Sequence, residues 1–387
     1  MTDPMILARI ALTWLAEPGH RHIHQLVAEH GPEQALEQLM AGEVPDGRLR
    51  ESVAARLAAG DPRRAAELAL KSGERLGARV LTPDGNEWPW QLEDLARLDD
   101  LGPDDRMTRP PLLLWLRGAR LDLQAPAVAV VGARASSPYG EHIASGLGHG
   151  LAERGWTVVS GGAYGIDAAA HRGSLTGGGP TVAVLACGVD RAYPAGHAAL
   201  FEHIVETGSL ISEWPPGSAP YRHRFLTRNR VIAALTRGTV VVEATARSGA
   251  LATLRRASAL GRPSMVVPGP VTAATSRGCH MAARADPQVR LVTDLADVLE
   301  EVGQIGVDLA PLPNVPDHPR DRLDVVTATV LDAVPAGHVV RPEEMSASAG
   351  VPLRQVLRAL PALVELNLVT AHEGGYRVVV GRDGISR

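Results

Sequence analysis

The chain has 387 residues, 43 acids against 39 lysines and arginines, and two widely separated cysteines, Cys187 and Cys279. That length is too great for one ordinary core and predicts two or three domains, and the cysteines make neither a disulfide framework nor a metal site, which points to a reducing cytoplasm. No apolar run approaches the roughly eighteen residues of a membrane helix, so no membrane contact is expected.

Residues 1–77 carry apolar positions at helical spacing in Ile6 to Leu15, Ile23 to Val27, Ala35 to Met40 and Ala65 to Leu70, broken by Pro-Gly and Gly-Pro pairs. This pattern predicts a small helical domain of the SAM or helix-hairpin-helix kind. Its triplet His20, His22 and His24 is read as an exposed helix start, and no metal is expected.

From residue 78 to 303 short apolar runs alternate with amphipathic segments. Strands are predicted at Leu112 to Leu116, Ala127 to Val131, Thr157 to Ser160, Thr181 to Leu185, Leu210 to Ser212, Thr239 to Val242, Ser264 to Val267 and Arg290 to Val292. Helices are predicted between most of them, at Tyr139 to Arg154, Ile166 to Leu175, Ala198 to Glu206, Arg228 to Leu235, Ala250 to Leu260 and Leu295 to Val302. Such alternation, with strands apolar on both faces, predicts an α/β fold with a Rossmann-like, mostly parallel sheet. Its ligand site should lie beyond the carboxyl ends of the strands.

Residues 304–321 hold Pro311, Pro313, Pro316 and Pro319 without periodicity and read as a linker. Residues 322–381 read as three helices followed by a hairpin tipped by Gly374-Gly375, the outline of a winged helix. Lacking a basic face, that unit is read as a site of protein contact or regulation before one of tight DNA binding.

The 72 residues between Glu213 and Asp286 hold eleven arginines and one acid, Glu243, where the average composition would give about eight acids and seven basic residues. Clearing acids from one stretch of a net-negative protein gives the electrostatics of a surface for a phosphate backbone. The densest part runs from Tyr221 to Arg230, and Phe225 within it is one of only two phenylalanines. A lone aromatic among arginines suits base stacking. Arg228, Asn229 and Arg230 are placed on the first turn of a helix, where one arginine can hold phosphate and the other pair with Glu213 or Glu243.

Three glycine-bearing loops follow predicted strands: Val130 to Ser136, Ser160 to Asp167 and Glu243 to Gly249. None has the spaced glycines of a dinucleotide fold, so no nicotinamide site is expected. Gly161, Gly162 and Gly165 would let the backbone approach an anion, and Arg134, at a strand's carboxyl end, points at the same crevice. Lys71 is the only lysine and follows Leu70, which excludes a P-loop and argues against Schiff-base chemistry. No catalytic constellation is found, Asp167 being read as a helix cap and His171 as a packed residue.

Taken in order, these segments resemble the DNA-processing protein A family (DprA, also called Smf). The resemblance is carried by Val131 to Gly140, Ser160 to His171, Cys187 to Pro194, Ser212 to Gly217, Phe225 to Arg230, Ser248 to Thr253, Pro268-Gly269 and Ser276 to Cys279. Leu81 to Pro83, Trp88-Pro89 and Pro110 to Leu112 resemble the family's lead-in. The resemblance implies a non-enzymatic protein without cofactors that binds single-stranded DNA, protects it in natural transformation and loads the RecA recombinase, usually as a homodimer. By position it implies DNA contacts at Arg134 and Arg222 and base stacking by Phe225. Together with the loop and helix readings, the expected DNA-binding set is Arg134, Gly161, Gly162, Arg222, Phe225, Arg228, Asn229, Arg230, Ser248 and Gly249. Tyr164 stands where many members have arginine. The alternative is an enzyme acting on a nucleotide-derived small molecule, related to lysine-decarboxylase-like phosphoribohydrolases. Against it, the chain has Pro268-Gly269-Pro270 in place of their Pro-Gly-Gly-x-Gly-Thr.

Overall fold

The structure is a computed structural model that describes residues 3–98, 107–119, 122–123, 125–304, 320 and 323–379. It divides into two compact units, Met1–Pro311 and Leu312–Arg387.

Local sequence signals place the first helices. In α1 (Pro4–Leu15) the Asp3 carboxylate accepts from the Met5 amide, and a proline opens the helix where its missing N–H costs nothing. Helix α2 (Arg21–Met40) breaks at Gly31-Pro32, with Gly31 at φ 78°. Asp46 caps α3 (Gly47–Ala59), a helix absent from the sequence expectation, and an Asp-Pro pair starts α4 (Pro62–Arg75) as it does α1. The apolar face of these helices, with Ile10, Leu12, Leu36 and Leu39, belongs to one buried cluster with Trp115, Leu185 and Leu210.

The sheet has nine strands: β1 (Arg79–Leu81), β2 (Leu114–Gly118), β3 (Ala127–Val131), β4 (Thr157–Ser160), β5 (Thr181–Val184), β6 (Ser209–Ser212), β7 (Gly238–Val241), β8 (Ser264–Val266) and β9 (Val289–Leu291). Their order is β1-β2-β6-β5-β4-β3-β7-β8-β9. The seven strands from β3 onward are mutually parallel, while β2 runs antiparallel to β6 and to β1. Between them lie α5 (Pro138–Glu153), α6 (Ile166–Thr176), α7 (Ala198–Thr207), α8 (Arg222–Leu235), α9 (Ala250–Ala259) and α10 (Arg277–Ala285), and α11 (Leu295–Val302) follows β9.

Alternate residues of the central strands feed opposite faces, as a pleated strand requires. Val128, Val130, Val158 and Val240 meet Leu147 of α5, Ala170 of α6 and Leu299 of α11 on one face. Ala129, Val131, Val159 and Val241 meet Val231 of α8, Leu254 of α9 and Cys279 of α10 on the other. The predicted strands all form, within two residues of the expected ends; β1 and α10 are additional. Helix α8 starts six residues earlier than expected, at Arg222.

In the second unit α12 (Val325–Asp332), α13 (Pro342–Ala349) and α14 (Leu353–Glu365) are followed by an antiparallel hairpin, β10 (Val369–His372) with β11 (Gly375–Val378). Val330, Met345, Val356 and Leu363 are among its core. Of the expected linker, residues 305–319 and 321 lie outside the described residues. No helix among the described residues is long and apolar enough to cross a membrane.

Candidate nucleic-acid interface

Strand β3 has β4 on one side and β7 on the other. The chain leaves β3 for a helix on one face of the sheet and leaves β7 for a helix on the other, so the two loops part at the carboxyl ends. This is the topological switch point at which open α/β sheets hold ligands. A cleft of about 650 Å³ opens there. The loop after β3 gives it Gly132 and Arg134, the loop after β7 gives Arg247, Ser248 and Gly249, and α8 gives Arg222, Phe225, Arg228 and Asn229.

The rim is cationic. Arg134, Arg222 and Arg247 are exposed, and none has an ion-pair partner among the described residues. The Arg134 guanidinium lies 4.8 Å from the centre of the half-buried Phe225 ring. Tyr193, also on the cleft, meets Phe225 with centroids 5.4 Å apart and planes tilted by 48°. A cation, a phenyl ring and a phenol thus form one continuous surface suited to a stacked base beside a phosphate.

The floor is built differently. Arg228 is 4% exposed. Its Nη1 donates to the carbonyls of Gly161, at 2.8 Å, and Val184, and its Nε donates to Asn229 Oδ1 at 3.2 Å. Burial lowers its pKa to about 10, so it stays charged at neutral pH. Asn229 in turn donates to the Gly249 carbonyl at 3.3 Å, joining α8 to the loop after β7.

The glycine loop after β4 departs from the expectation. The amides of Gly161 and Ala163 both donate to Asp167 Oδ2, at 3.2 and 3.3 Å, so a carboxylate of the chain occupies one of the donors assigned to phosphate, the Gly161 amide. Gly161 and Gly162 are buried and line no part of the cleft. A Cβ at Gly161 would lie 2.5 Å from the Arg228 guanidinium, and Gly162 takes φ +69° and would put a Cβ 2.7 Å from the Phe201 ring. Both glycines serve packing. Asp167 clasps this loop; it does not cap α6, whose N-terminal cap is Gly165. Burial pushes its carboxyl up, against the pull of Arg228 and the Ala163, Gly132 and Gly161 amides.

Arg230 also departs. It is fully buried and makes a bidentate pair with Glu213, at 2.6 and 2.7 Å, away from the cleft. Arg228 to Arg230 sit midway along α8, where the carbonyls and acids of the interior satisfy them. The other arginines of the acid-poor stretch divide the same way. Arg224 is held by Glu17, Arg256 donates to the Leu226 carbonyl, and Arg262 donates to the carbonyls at the end of α8 and to Asp94. Glu243 is held by Ser137 and Thr275, and thereby ties together the loops after β3 and β7 and the segment before α10.

His171 is packed as expected, its Nδ1 2.7 Å from Thr181 Oγ1. Tyr164 lies edge-on to His197, centroids 4.6 Å apart, and is not part of the cleft lining. Arg247 and Tyr193 were missing from the sequence-based set. Arg247 stood beside Ser248 in a loop already assigned to the site, and Tyr193 lay in a segment that carried the family resemblance.

The fold and cleft define a Rossmann-like α/β protein with an arginine-rimmed, aromatic-bearing site at the switch point. A sequence model of the family described as DNA recombination-mediator protein A matches residues 79–303, and the chain belongs to this DprA/Smf family. It is 44% identical over 382 residues to a protein named as a DNA processing protein DprA in Mycobacterium tuberculosis strain H37Rv, covering 98% of this chain and 96% of that one. It is 34% identical to Protein Smf of Escherichia coli K12, over 81% of each chain. The crystal structure of DNA processing protein A from Streptococcus pneumoniae superposes with a TM-score of 0.62 at 31% identity, covering 79% of this chain and all of that one.

Proposed function

We propose that the switch-point cleft binds single-stranded DNA and that the protein works by holding the strand, without transforming it. The observation that carries this reading is the set of three exposed arginines, Arg134, Arg222 and Arg247, that line one cleft with Phe225 and have no ion-pair partner among the described residues, with the Arg134 guanidinium over the Phe225 ring. Phosphates bind the guanidinium groups, and a base stacks on Phe225 and Tyr193. A ring face accepts any base, so sequence preference is weak and salt dependence steep. Three carboxylates that touch these loops are engaged, Asp167 by backbone amides, Glu243 by two hydroxyls and Glu141 by the Ser136 hydroxyl at 2.7 Å.

Within the family's role, the protein then protects incoming or recombining single strands in the cytoplasm and hands them to the RecA recombinase. A homodimer would join two clefts on one strand and raise avidity without new contacts. The second unit, with three helices and a hairpin, is read as a winged helix that meets a protein partner. The test is a fluorescence anisotropy titration of the full chain with oligo-dT and a length-matched duplex, at two salt concentrations. Tighter binding of oligo-dT that weakens with salt is expected; equal affinity for both, or indifference to salt, would overturn the proposal.

A further inference from the structure

Outside the cleft, three side chains with metal-binding atoms converge where the N-terminal helices begin. His20 immediately precedes α2, His22 is on its first turn, and Asp46 caps α3. One ligand atom from each lies within 4.8 Å of the other two. His20 Nε2 is 3.8 Å and His22 Nδ1 3.5 Å from the same carboxylate oxygen, Asp46 Oδ2. We propose that His20, His22 and Asp46 form a binding site for a divalent transition-metal cation of the Zn²⁺ type, which fastens the start of α2 to the start of α3.

Four features support the assignment. Zn–N and Zn–O bonds of about 2.0–2.1 Å in a tetrahedron put neighbouring donors about 3.3 Å apart, so the two separations to Asp46 already sit near those edges. Both distances exceed the range of a good hydrogen bond, and His22 Nδ1 is buried without any hydrogen-bond partner. A buried nitrogen left bare is costly unless something unseen satisfies it, and a cation between it and Asp46 would. The carboxylate is also pre-aimed. Asp46 Oδ1 accepts from the Arg48 and Leu49 amides at 2.9 and 3.2 Å, which fixes the group and turns Oδ2 toward the histidines. Such an outer hydrogen bond is what orients a metal-ligating carboxylate. Finally, two imidazoles and one carboxylate, with a fourth position open to water, are a donor set suited to Zn²⁺ and its neighbours and unsuited to Ca²⁺ or Mg²⁺. His24 takes no part in the group.

The site adjoins residues that position α8. Gly19 packs so closely on Arg230 that a Cβ there would lie 2.7 Å from its guanidinium, and Glu17 holds Arg224 and Trp214. A cation at His20 and His22 therefore anchors the segment 17–22 from its far end.

The test uses the full chain without a histidine tag, stripped of metal, and titrates ZnCl₂ by calorimetry. One cation per chain is expected. Asp46→Asn keeps an oxygen to cap α3 but loses the ligand charge, and should bind at least tenfold more weakly, as should His22→Ala. At a free zinc concentration about a hundred times the dissociation constant the melting temperature should rise by about 5 °C, and EDTA should reverse the shift. Absence of stoichiometric binding, or binding by folded Asp46→Asn and His22→Ala equal to wild type, would overturn the proposal.

Discussion

Replacing Arg222 by alanine tests whether this arginine holds phosphate, as proposed, or supports the fold. Arg222 is exposed at the first position of α8 and has no ion pair among the described residues, so its loss removes charge without uncovering a buried partner. With Arg134 and Arg247 it makes three such cations around the cleft. If each neutralises one phosphate of a single strand, the slope of log K against log salt is about −0.7 × 3, or about −2.1. Raising salt from about 50 to about 200 mM then weakens binding about twentyfold in the wild type. In Arg222→Ala the slope falls to about −1.4, and the same rise in salt costs only about sevenfold. The assay is anisotropy with labelled oligo-dT across at least four salt concentrations, with urea unfolding as a control for the fold. A folded Arg222→Ala protein with the wild-type slope would refute the placement of this arginine on the DNA backbone.

Phe225→Ala should lower oligo-dT affinity by roughly 1–3 kcal/mol, the value of one base stack, while leaving the salt slope unchanged; anisotropy at a single temperature reads both. Arg230→Ala should instead destabilise the fold by roughly 3–5 kcal/mol in urea melts, because it strands Glu213 in the interior. Joint replacement of Arg230 by Met and Glu213 by Leu should recover much of that loss. His171, fully buried, has its pKa lowered by burial to about 3, so the folded state resists protonating it. Its contribution is complete above the unfolded value near 6.5 and is lost as pH falls from there toward 3. Between pH 7 and pH 5 the loss is about 2 kcal/mol, measurable as a fall in the urea midpoint that is smaller in His171→Gln.

The sheet was legible because its information is local. Runs such as Ala127 to Val131 and Thr157 to Ser160 are buried on both faces, so an unbroken apolar stretch between turn residues marks both the strand and its ends. Helix α8 was misplaced because its first half has no apolar period to read. From Arg222 to Arg230 its buried faces are filled by arginines, and the groups that neutralise them lie far off in sequence: Glu17 for Arg224, and the carbonyls of Gly161 and Val184 for Arg228. An acid-poor stretch therefore has two physical origins, cations left free for a ligand and cations answered by distant acids or by carbonyl oxygens, which leave no mark on local charge. The glycine loop misled for a related reason. Its residues suited an oxygen acceptor, and the acceptor is the chain's own Asp167 carboxyl, four positions beyond Ala163. What separates the proposed binding residues from the supporting ones is thus exposure, which composition does not carry: Arg134, Arg222 and Arg247 reach solvent at the switch point, while Arg224, Arg228 and Arg230 are buried behind them.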